Sequence, residues 1–556
     1  MKKILLILVA CHLSLIAATA QPDWVKKASK SVFTLKTFAH DGSLIASSNG
    51  FFVGAQGEAV SNFSPFKGAA RAIVIDAAGK EMNVTAMMGA NETYDVAKFR
   101  VAGKTLPLTV CQSVVPTGAL AWLLPYHDTK NVLSGTIRKA EKFQADYAYY
   151  TIAMKMPEQA VSCPLLNDAG EVVGLMQPSA SAADTLSYAV SARFADSLKV
   201  NGLSLNDPAL KQTSIKMELP DNLTDANLIL YMAGSTVDSA TYVSLVDDFI
   251  SKFPSAPEGY LYRANTKAAA GEFDAADSDM QLAVKTAEPK DFAHYNYARI
   301  IYNKWVYNNA KAYDPWTLDK AREEARQAYA INPLPAYRQM EADILYAQQQ
   351  YSQAHDLYVE LARADGNADK AELWFYAARC KEMLKDTTAM LALLDSTMNC
   401  FSRPYLKEAA PYLWARANAR MDAGKFREAV SDMNDYEQLM AAQVNAQFYY
   451  IRHQAEIEGR LYQQALNDIS RAVTMEPDKT LYYAEKASLE IRVGHYDEAL
   501  ATARECIAVD PDGSDGYLFL GLAQCLEGNK AEGIANLQKA KDLGDPQAEG
   551  LIQKYK

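Results

Sequence analysis

The stretch Gln159–Gly174, QAVSCPLLNDAGEVVG, decides how the first third of the chain is read. Pro164-Leu165-Leu166-Asn167 is a short apolar run that ends in a turn signal, Asn167-Asp168-Ala169-Gly170. Glu171-Val172-Val173-Gly174 then resumes the apolar pattern with β-branched residues. That order spells a strand, a tight turn and a second strand. Just before Pro164 stand Val161, Ser162 and Cys163, two side chains with nucleophilic atoms beside one with none.

The same texture extends in both directions. SVFTLKTF, GFFVG, AIVIDA, EMNVTAMM, DVAKFRVA, ALAWLLPY, YAYYTIAM, EVVGLMQP and LSYAVSA are short apolar segments separated by HDGS, AQGE, AAGK and similar breaks. Many short strands at regular spacing predict an all-β sandwich or barrel. A helix is expected at DWVKKASKS before the strands, and another at ARFADSLKVNG closes the unit.

Four motifs in order carry a family resemblance. Asn49-Gly50-Phe51-Phe52-Val53 followed by Gly57-Glu58-Ala59-Val60-Ser61-Asn62 resembles the opening hairpin of bacterial trypsin-like proteases of the HtrA-like group. Tyr94-Asp95-Val96 before an apolar strand is similar to the family's aspartate landmark, and VLSGTI to the strand before its nucleophile loop. That loop, G-N-S-G-G/S-P-L-L-N in the family, reads QAVSCPLLN here. The resemblance covers residues of about 30–200 and implies an all-β double barrel.

The site residues implied by that resemblance are altered. Ser64 stands at the histidine position, followed by Pro65; Asp95 keeps the aspartate; Val161 takes the serine position, and Gln159 replaces the glycine that shapes the oxyanion hole. The spacings Ser64–Asp95–Val161 are 31 and 66 residues. A serine hydroxyl needs a base to take its proton. Ser64 is no base near neutral pH, and Val161 offers no nucleophile. In a serine protease the loss of serine or histidine alone lowers turnover roughly a million-fold. The triad therefore reads as degenerate, with no catalytic residue expected. The alternative is a register shifted by one or two residues, with Ser162 or Cys163 as nucleophile and His40 or His127 as base. Both histidines fit surface turns more simply.

From about Leu223 onward helical periodicity replaces the strands. GEFDAA (Gly271–Ala276), GKFREA (Gly424–Ala429) and GHYDEA (Gly494–Ala499) are copies of one corner. Small residues recur at Ala276, Ala321, Ala354, Ala389, Ala429, Ala465, Ala499 and Gly533, spaced by 45, 33, 35, 40, 36, 34 and 34. Twelve residues earlier lies a second small residue in most units: Ala264, Ala342, Ala377, Ala417, Ala487 and Gly521. Paired small residues let two helices approach closely; glycine ends the first in a left-handed cap, and a proline follows the second. An aromatic three places before the anchor fills the corner. The pattern resembles the tetratricopeptide (TPR) repeat over about 255–545. It weakens at Ala321, where YNKWVYNNAKAYDPW is inserted, and at Ala389, where glycine and aromatic are missing. The helix pair 224–235 and 238–252 reads as a divergent first unit. His453, at a small-residue position, is expected to be packed.

The fold expected is therefore multidomain: residues 1–20 a signal peptide, 21–202 a trypsin-like all-β double barrel, 203–222 a linker, and 223–556 an all-α TPR solenoid of about eight to nine helix pairs. MKKILLILVACHLSLIAATA has two lysines, an apolar run and an A-x-A site at Ala18-Thr19-Ala20, which predicts export to periplasm or medium. A lipoprotein box ending at Cys11 is the rival reading. Net charge is −11 over 556 residues with no long basic run, which argues against nucleic acid. No later stretch approaches the ~18 apolar residues of a membrane span. The six other cysteines show no C-x-x-C spacing, so no structural zinc is expected. Cys111–Cys163 and Cys506–Cys525 are conceivable disulfides, and buried free thiols serve equally well. No motif for a cofactor appears. The function expected is a non-catalytic scaffold that binds a protein or peptide through its repeats. Tyr260, Tyr262, Tyr449, Tyr450, Tyr482 and Tyr483 are abundant there, as surface contacts or as seam fillers.

Overall fold

A computed structural model describes residues 21–126, 132–144, 146–179, 185–307, 310–366 and 369–556. The expected signal peptide, with Cys11, and His127 lie outside them. The chain divides into two compact units, residues 1–266 and 267–556, and each is described by itself.

The first unit opens on a short helix, Val25–Ala28, and one 3-10 turn, where DWVKKASKS predicts a helix. Six strands then close a barrel: β1 Val32–Phe38, β2 Leu44–Phe52, β3 Glu58–Ser61, β4 Arg71–Ile75, β5 Glu81–Asn91 and β6 Val96–Val101. Their order around the barrel is β1-β2-β3-β6-β5-β4. Six more close a second one: β7 Leu120–Leu123, β8 Leu133–Phe143, β9 Tyr147–Ala153, β10 Pro164–Leu166, β11 Val172–Gln177 and β12 Ser187–Ser191, in the order β10-β11-β12-β9-β8-β7. All pairings between these strands are antiparallel. Among the described residues, closure leaves no unpaired sheet edge in either barrel.

Alternation decides which side chains point inward. Along β9 the residues Ala148, Tyr150 and Ile152 are buried while Tyr147, Tyr149 and Thr151 are not. In the first barrel Phe33, Phe52, Phe66 and Phe99 meet with ring centroids 4.7–6.1 Å apart. Each such ring contributes about 1.5–3 kcal/mol by leaving water. Gly50 lies opposite Phe33 in the register, and a Cβ there would come within 2.5 Å of that ring and of the Val60 carbonyl. The stretch ARFADSLKVNG forms only a 3-10 turn, Ala192–Asp196, where the sequence predicts a helix.

Residues 203–222, expected to run as a linker, are bound to the first barrel. Met87 N–H donates to Lys216 O and Glu218 N–H to Met87 O, both at 2.8 Å, forming a parallel bridge between Met87 and Met217. The Arg100 guanidinium grips Glu218 at 2.9 Å and Glu58 at 2.9 Å. Helices Leu223–Ala233 and Ser239–Lys252 then pack on the same segment through Leu219, Ile229, Leu230, Val246 and Phe249. A shared apolar core draws this helix pair into the first unit.

The second unit is a series of helix pairs. Ala276, Ala321, Ala354, Ala429, Ala465 and Ala499 are fully buried, as are Ala342, Ala377 and Ala417 on the partner helices. Gly271, Gly424, Gly494 and Gly528 adopt the left-handed cap (φ +76°, +73°, +83° and +103°). Where glycine is absent, Gln349, Lys385 and Arg460 take the same conformation. Lys385 corrects the sequence reading of one unit. Its N–H donates to Glu382 O and the next N–H to Lys381 O, as Gly424 and Lys425 donate to Met421 and Arg420. The equivalence 385 to 424 makes Met390, not Ala389, the anchor, and Ala378 its small partner. The cap position sets the register of the pair, and small residues stand on both sides of it in the sequence.

Candidate functional site

The residues at the triad positions come from loops that leave β3, precede β6 and precede β10. Ser64 starts a 3-10 turn, Ser64–Phe66, just after β3. Its N–H and its Oγ both donate to Asp95 Oδ1, at 2.6 and 2.8 Å. Asp95 sits in a left-handed turn (φ +49°) that aims its carboxylate back at that loop. Its other oxygen, Oδ2, accepts from Asn62 Nδ2 at 2.7 Å. A hydroxyl thus holds the carboxylate where the resemblance places a histidine.

Asn62 continues the chain of hydrogen bonds into the second barrel. Its Oδ1 accepts from Ser162 Oγ, and Ser162 Oγ also pairs with Ser48 Oγ at 3.0 Å. Ser162 and Asn62 are buried. Ser162 has φ +66°, a conformation that favours glycine, and it stands at a glycine of the family's G-N-S-G-G loop. Its N–H donates to Met176 O at 3.0 Å.

Val161 contributes an isopropyl group and no reactive atom. The Val161 N–H donates to Glu158 O at 3.3 Å within the 3-10 turn Glu158–Ala160. Asn49 Nδ2 holds the carbonyls of Gln159 at 2.7 Å and Val161 at 3.1 Å. An oxyanion hole needs free N–H groups aimed at the developing charge. Here one such N–H is spent inside the loop. Cys163 is fully buried, and burial pushes its thiol up to about 12, although a backbone group of Tyr126 opposes this. His40 is exposed, and its Nε2 pairs with Ser214 Oγ at 3.0 Å. Among the described residues no histidine is a hydrogen-bond partner of Ser64, Asp95, Ser162 or Cys163.

Two residues that sequence reasoning passed over, Asn49 and Asn62, organise the site. Both lie inside the framing motifs N-G-F-F-V and S-N-F-S. Pattern alone marks them as parts of a hairpin, since the partners that tie them to the second barrel are a hundred or more residues away.

In the second unit the polar counterpart of the small-residue pairs is a second pair, three residues further along each helix. Lys267 reaches Asp279 at 2.8 Å, Arg420 reaches Asp432 at 2.7 Å and Asn536 reaches Gln524 at 2.7 Å. Arg416 and Arg452 add bidentate contacts to the buried Asp432 and Asp468. The spacing signal was present in part: four of the small pairs twelve apart, at Ala276, Ala429, Ala499 and Gly533, are followed by a polar pair twelve apart. Tyr449, Tyr482 and Tyr483 are buried in seams, as is Tyr260 in the first unit. His453 is fully buried and pairs through Nδ1 with Ala465 O at 2.9 Å. Cys111, Cys163, Cys380, Cys400, Cys506 and Cys525 are all free thiols, so neither conceivable disulfide forms. No described helix is long and apolar enough to cross a membrane.

No family model matches the chain. A stretch of 95 residues, 17% of this chain, is 30% identical to the small glutamine-rich tetratricopeptide repeat-containing protein 2 of Saccharomyces cerevisiae and covers 28% of its length. A stretch of 87 residues is 28% identical to the protein SGT1 homolog of Bos taurus, covering 16% of this chain and 26% of that one. A stretch of 90 residues is 30% identical to the Hsp70-Hsp90 organizing protein of Triticum aestivum, covering 16% and 15%. The chain thus spans about a quarter or less of these relatives. Among solved structures, the active form of the Rv3671c protease from M. tuberculosis is 19% identical, with TM-score 0.29, over 33% of this chain and 85% of that one. A serine-to-alanine mutant of that protease, in its inactive form, is 20% identical with TM-score 0.27 over 33% and 91%. Strand order, framing motifs and repeat pattern together describe a trypsin-like double barrel followed by TPR helix pairs.

Proposed function

We propose that this chain is an exported, non-catalytic scaffold whose barrel domain keeps a protease fold without its chemistry and whose repeats bind a protein or peptide. One observation carries the reading: Ser64 Oγ donates to Asp95 where a general base would stand. A hydroxyl so bonded cannot accept a proton from a nucleophile near neutral pH. The isopropyl group of Val161 and the engaged Val161 N–H support it independently. Ser162 and Cys163, the nucleophiles of the shifted-register alternative, are both buried, and Cys163 is held as a neutral thiol. Protein binding is supported by the TPR relatives, one of them an organizing protein for Hsp70 and Hsp90 by name. Export rests on the first twenty residues.

The test is to treat the purified protein with a fluorophosphonate and a thiol-reactive probe beside a casein-hydrolysis assay. No labelling of Ser162 or Cys163 and no turnover are expected. Labelling of either one, with turnover that disappears when it is mutated, would overturn the non-catalytic reading.

A further inference from the structure

One helix pair of the second unit, Lys370–Met383 and Thr387–Met398, differs at its corner from five of its sisters. In five other pairs the second helix begins on an aromatic residue: Phe273, Tyr351, Phe426, Tyr462 and Tyr496. Three of these rings have a packing partner close by. Phe273 lies 5.5 Å from Trp316, Tyr351 lies 5.2 Å from Tyr346, and the Arg492 guanidinium sits 5.2 Å from the Tyr462 ring. Leu318 and Lys530 open two further second helices. In the odd pair the equivalent residue is Thr387, and its neighbour Asp386 caps the helix by accepting from Ala389 N–H at 3.1 Å.

A cavity of about 530 Å³ opens at that corner, with Thr387 in its wall. Phe375, Met390, Leu394 and Trp414 supply its apolar surface, and Ala378 and Ala419 leave it room. The rim holds the Arg379–Glu382 ion pair together with Lys385 and Asp422. Lys385 and Asp422 form no ion pair among the described residues, and they contribute one charge of each sign. The rim is therefore electrically balanced, which suits an uncharged ring better than an aromatic acid or amine.

We propose that this corner binds an aromatic side chain of a partner polypeptide, taking from outside the ring that sister pairs supply from within. The pocket joins an apolar patch to a polar rim of Arg379, Glu382, Lys385, Thr387, Asn418 and Asp422, so that it can seat an apolar group and orient it, and its occupant follows from what stands at the same position elsewhere in the array. Aromatic anchors in such pockets dominate binding energy where they occur. The inference rests on reading the helical array as a protein-binding surface.

The test uses the full chain, immobilised, and random peptides displayed on phage. Retained peptides are expected to share an aromatic residue. Thr387→Phe, which restores the sister arrangement at an exposed helix start, should weaken them by about tenfold or more, the range of a lost anchor. Ala419→Leu, filling the cavity from its other wall, should act the same way, and thermal unfolding checks both variants. Thr387→Ala, which widens the pocket, should retain binding. Peptides that bind both filled variants as tightly as the native chain would overturn the pocket and leave the protein-binding reading standing. Equal losses in Thr387→Ala and Thr387→Phe would also overturn the pocket. A library from which nothing is retained would overturn both readings.

Discussion

Ser64 Oγ lies 2.8 Å from Asp95 Oδ1, and Asn62 lies 2.7 Å from the other oxygen of the same carboxylate. The second contact continues through Asn62 to Ser162 and Ser48, so a carboxylate beside the first barrel is joined to the loop before β10. These bonds turn a cleft into a fastening. Asn62→Ala would leave the partly buried Asp95 Oδ2 without that partner and the buried Ser162 Oγ with Ser48 alone. The expected cost is about 1–3 kcal/mol, read as a lower urea midpoint of the barrel transition followed by tryptophan fluorescence. An unchanged midpoint would mean that the network adds nothing to stability.

Cysteine chemistry should follow burial. Cys400 is exposed, whereas Cys111, Cys163, Cys380, Cys506 and Cys525 are buried. Burial also holds the Cys163 thiol up near 12, so almost none of it is thiolate at neutral pH. Iodoacetamide should label Cys400 first in the folded protein and reach Cys163 only after unfolding, as read by peptide mass mapping. Cys11 lies outside the described residues and is scored separately. Early labelling of Cys163 would contradict the burial.

The buried pair Arg452–Asp468 should be costly to break from one side. Two bonds of 2.6 and 3.0 Å join the groups, and both side chains are almost wholly out of water. Asp468→Ala leaves the guanidinium with Glu437 and Asn434 as partners. A loss toward the lower end of about 3–5 kcal/mol is expected, measured by chemical denaturation. The double replacement Arg452→Met with Asp468→Leu should cost far less, because no charge is then left unpaired.

Glu456 lies in the same cluster, and its carboxyl is pushed up to about 8, first by burial and next by the nearby Asp468, against the opposing pull of Arg452. Glu437 adds to the upward push and Arg471 opposes it. Unfolding returns the group to its ordinary value near 4.5. Between those values the unfolded chain has released a proton that the folded chain retains. Stability from this group is therefore full below about 4.5, falls as pH rises toward 8 and is level above. Glu456→Gln should flatten that part of the profile and raise stability at pH 9 relative to the native chain. Thermal unfolding across pH 5–9 reads it out, and an unaltered slope in the variant would count against the assignment.

The sequence by itself determined the strands and the helix pairs, because strand alternation and helix–corner spacing are local, but not the short helices flanking the strands, since ARFADSLKVNG makes only a 3-10 turn. SVFTLKTF and YAYYTIAM alternate inward and outward as they must in any half-buried sheet, and buried alanines recur with the repeat whatever the neighbours. The order of Ser64, Asp95 and Val161 along framing motifs was also legible, and Ser64 and Asp95 do meet. Other features needed the tertiary structure. Asn62 and Ser162 are a hundred residues apart, and only the folded first unit brings them into contact. The register of one repeat followed the left-handed backbone at Lys385 rather than the small side chain of Ala389, because a helix terminus is set by hydrogen bonds that composition does not show. The segment 203–222 has no periodicity because its contacts are irregularly spaced: main-chain bonds to Met87, the Glu218–Arg100 pair and the isolated apolar side chains of Ala209, Ile215 and Leu219.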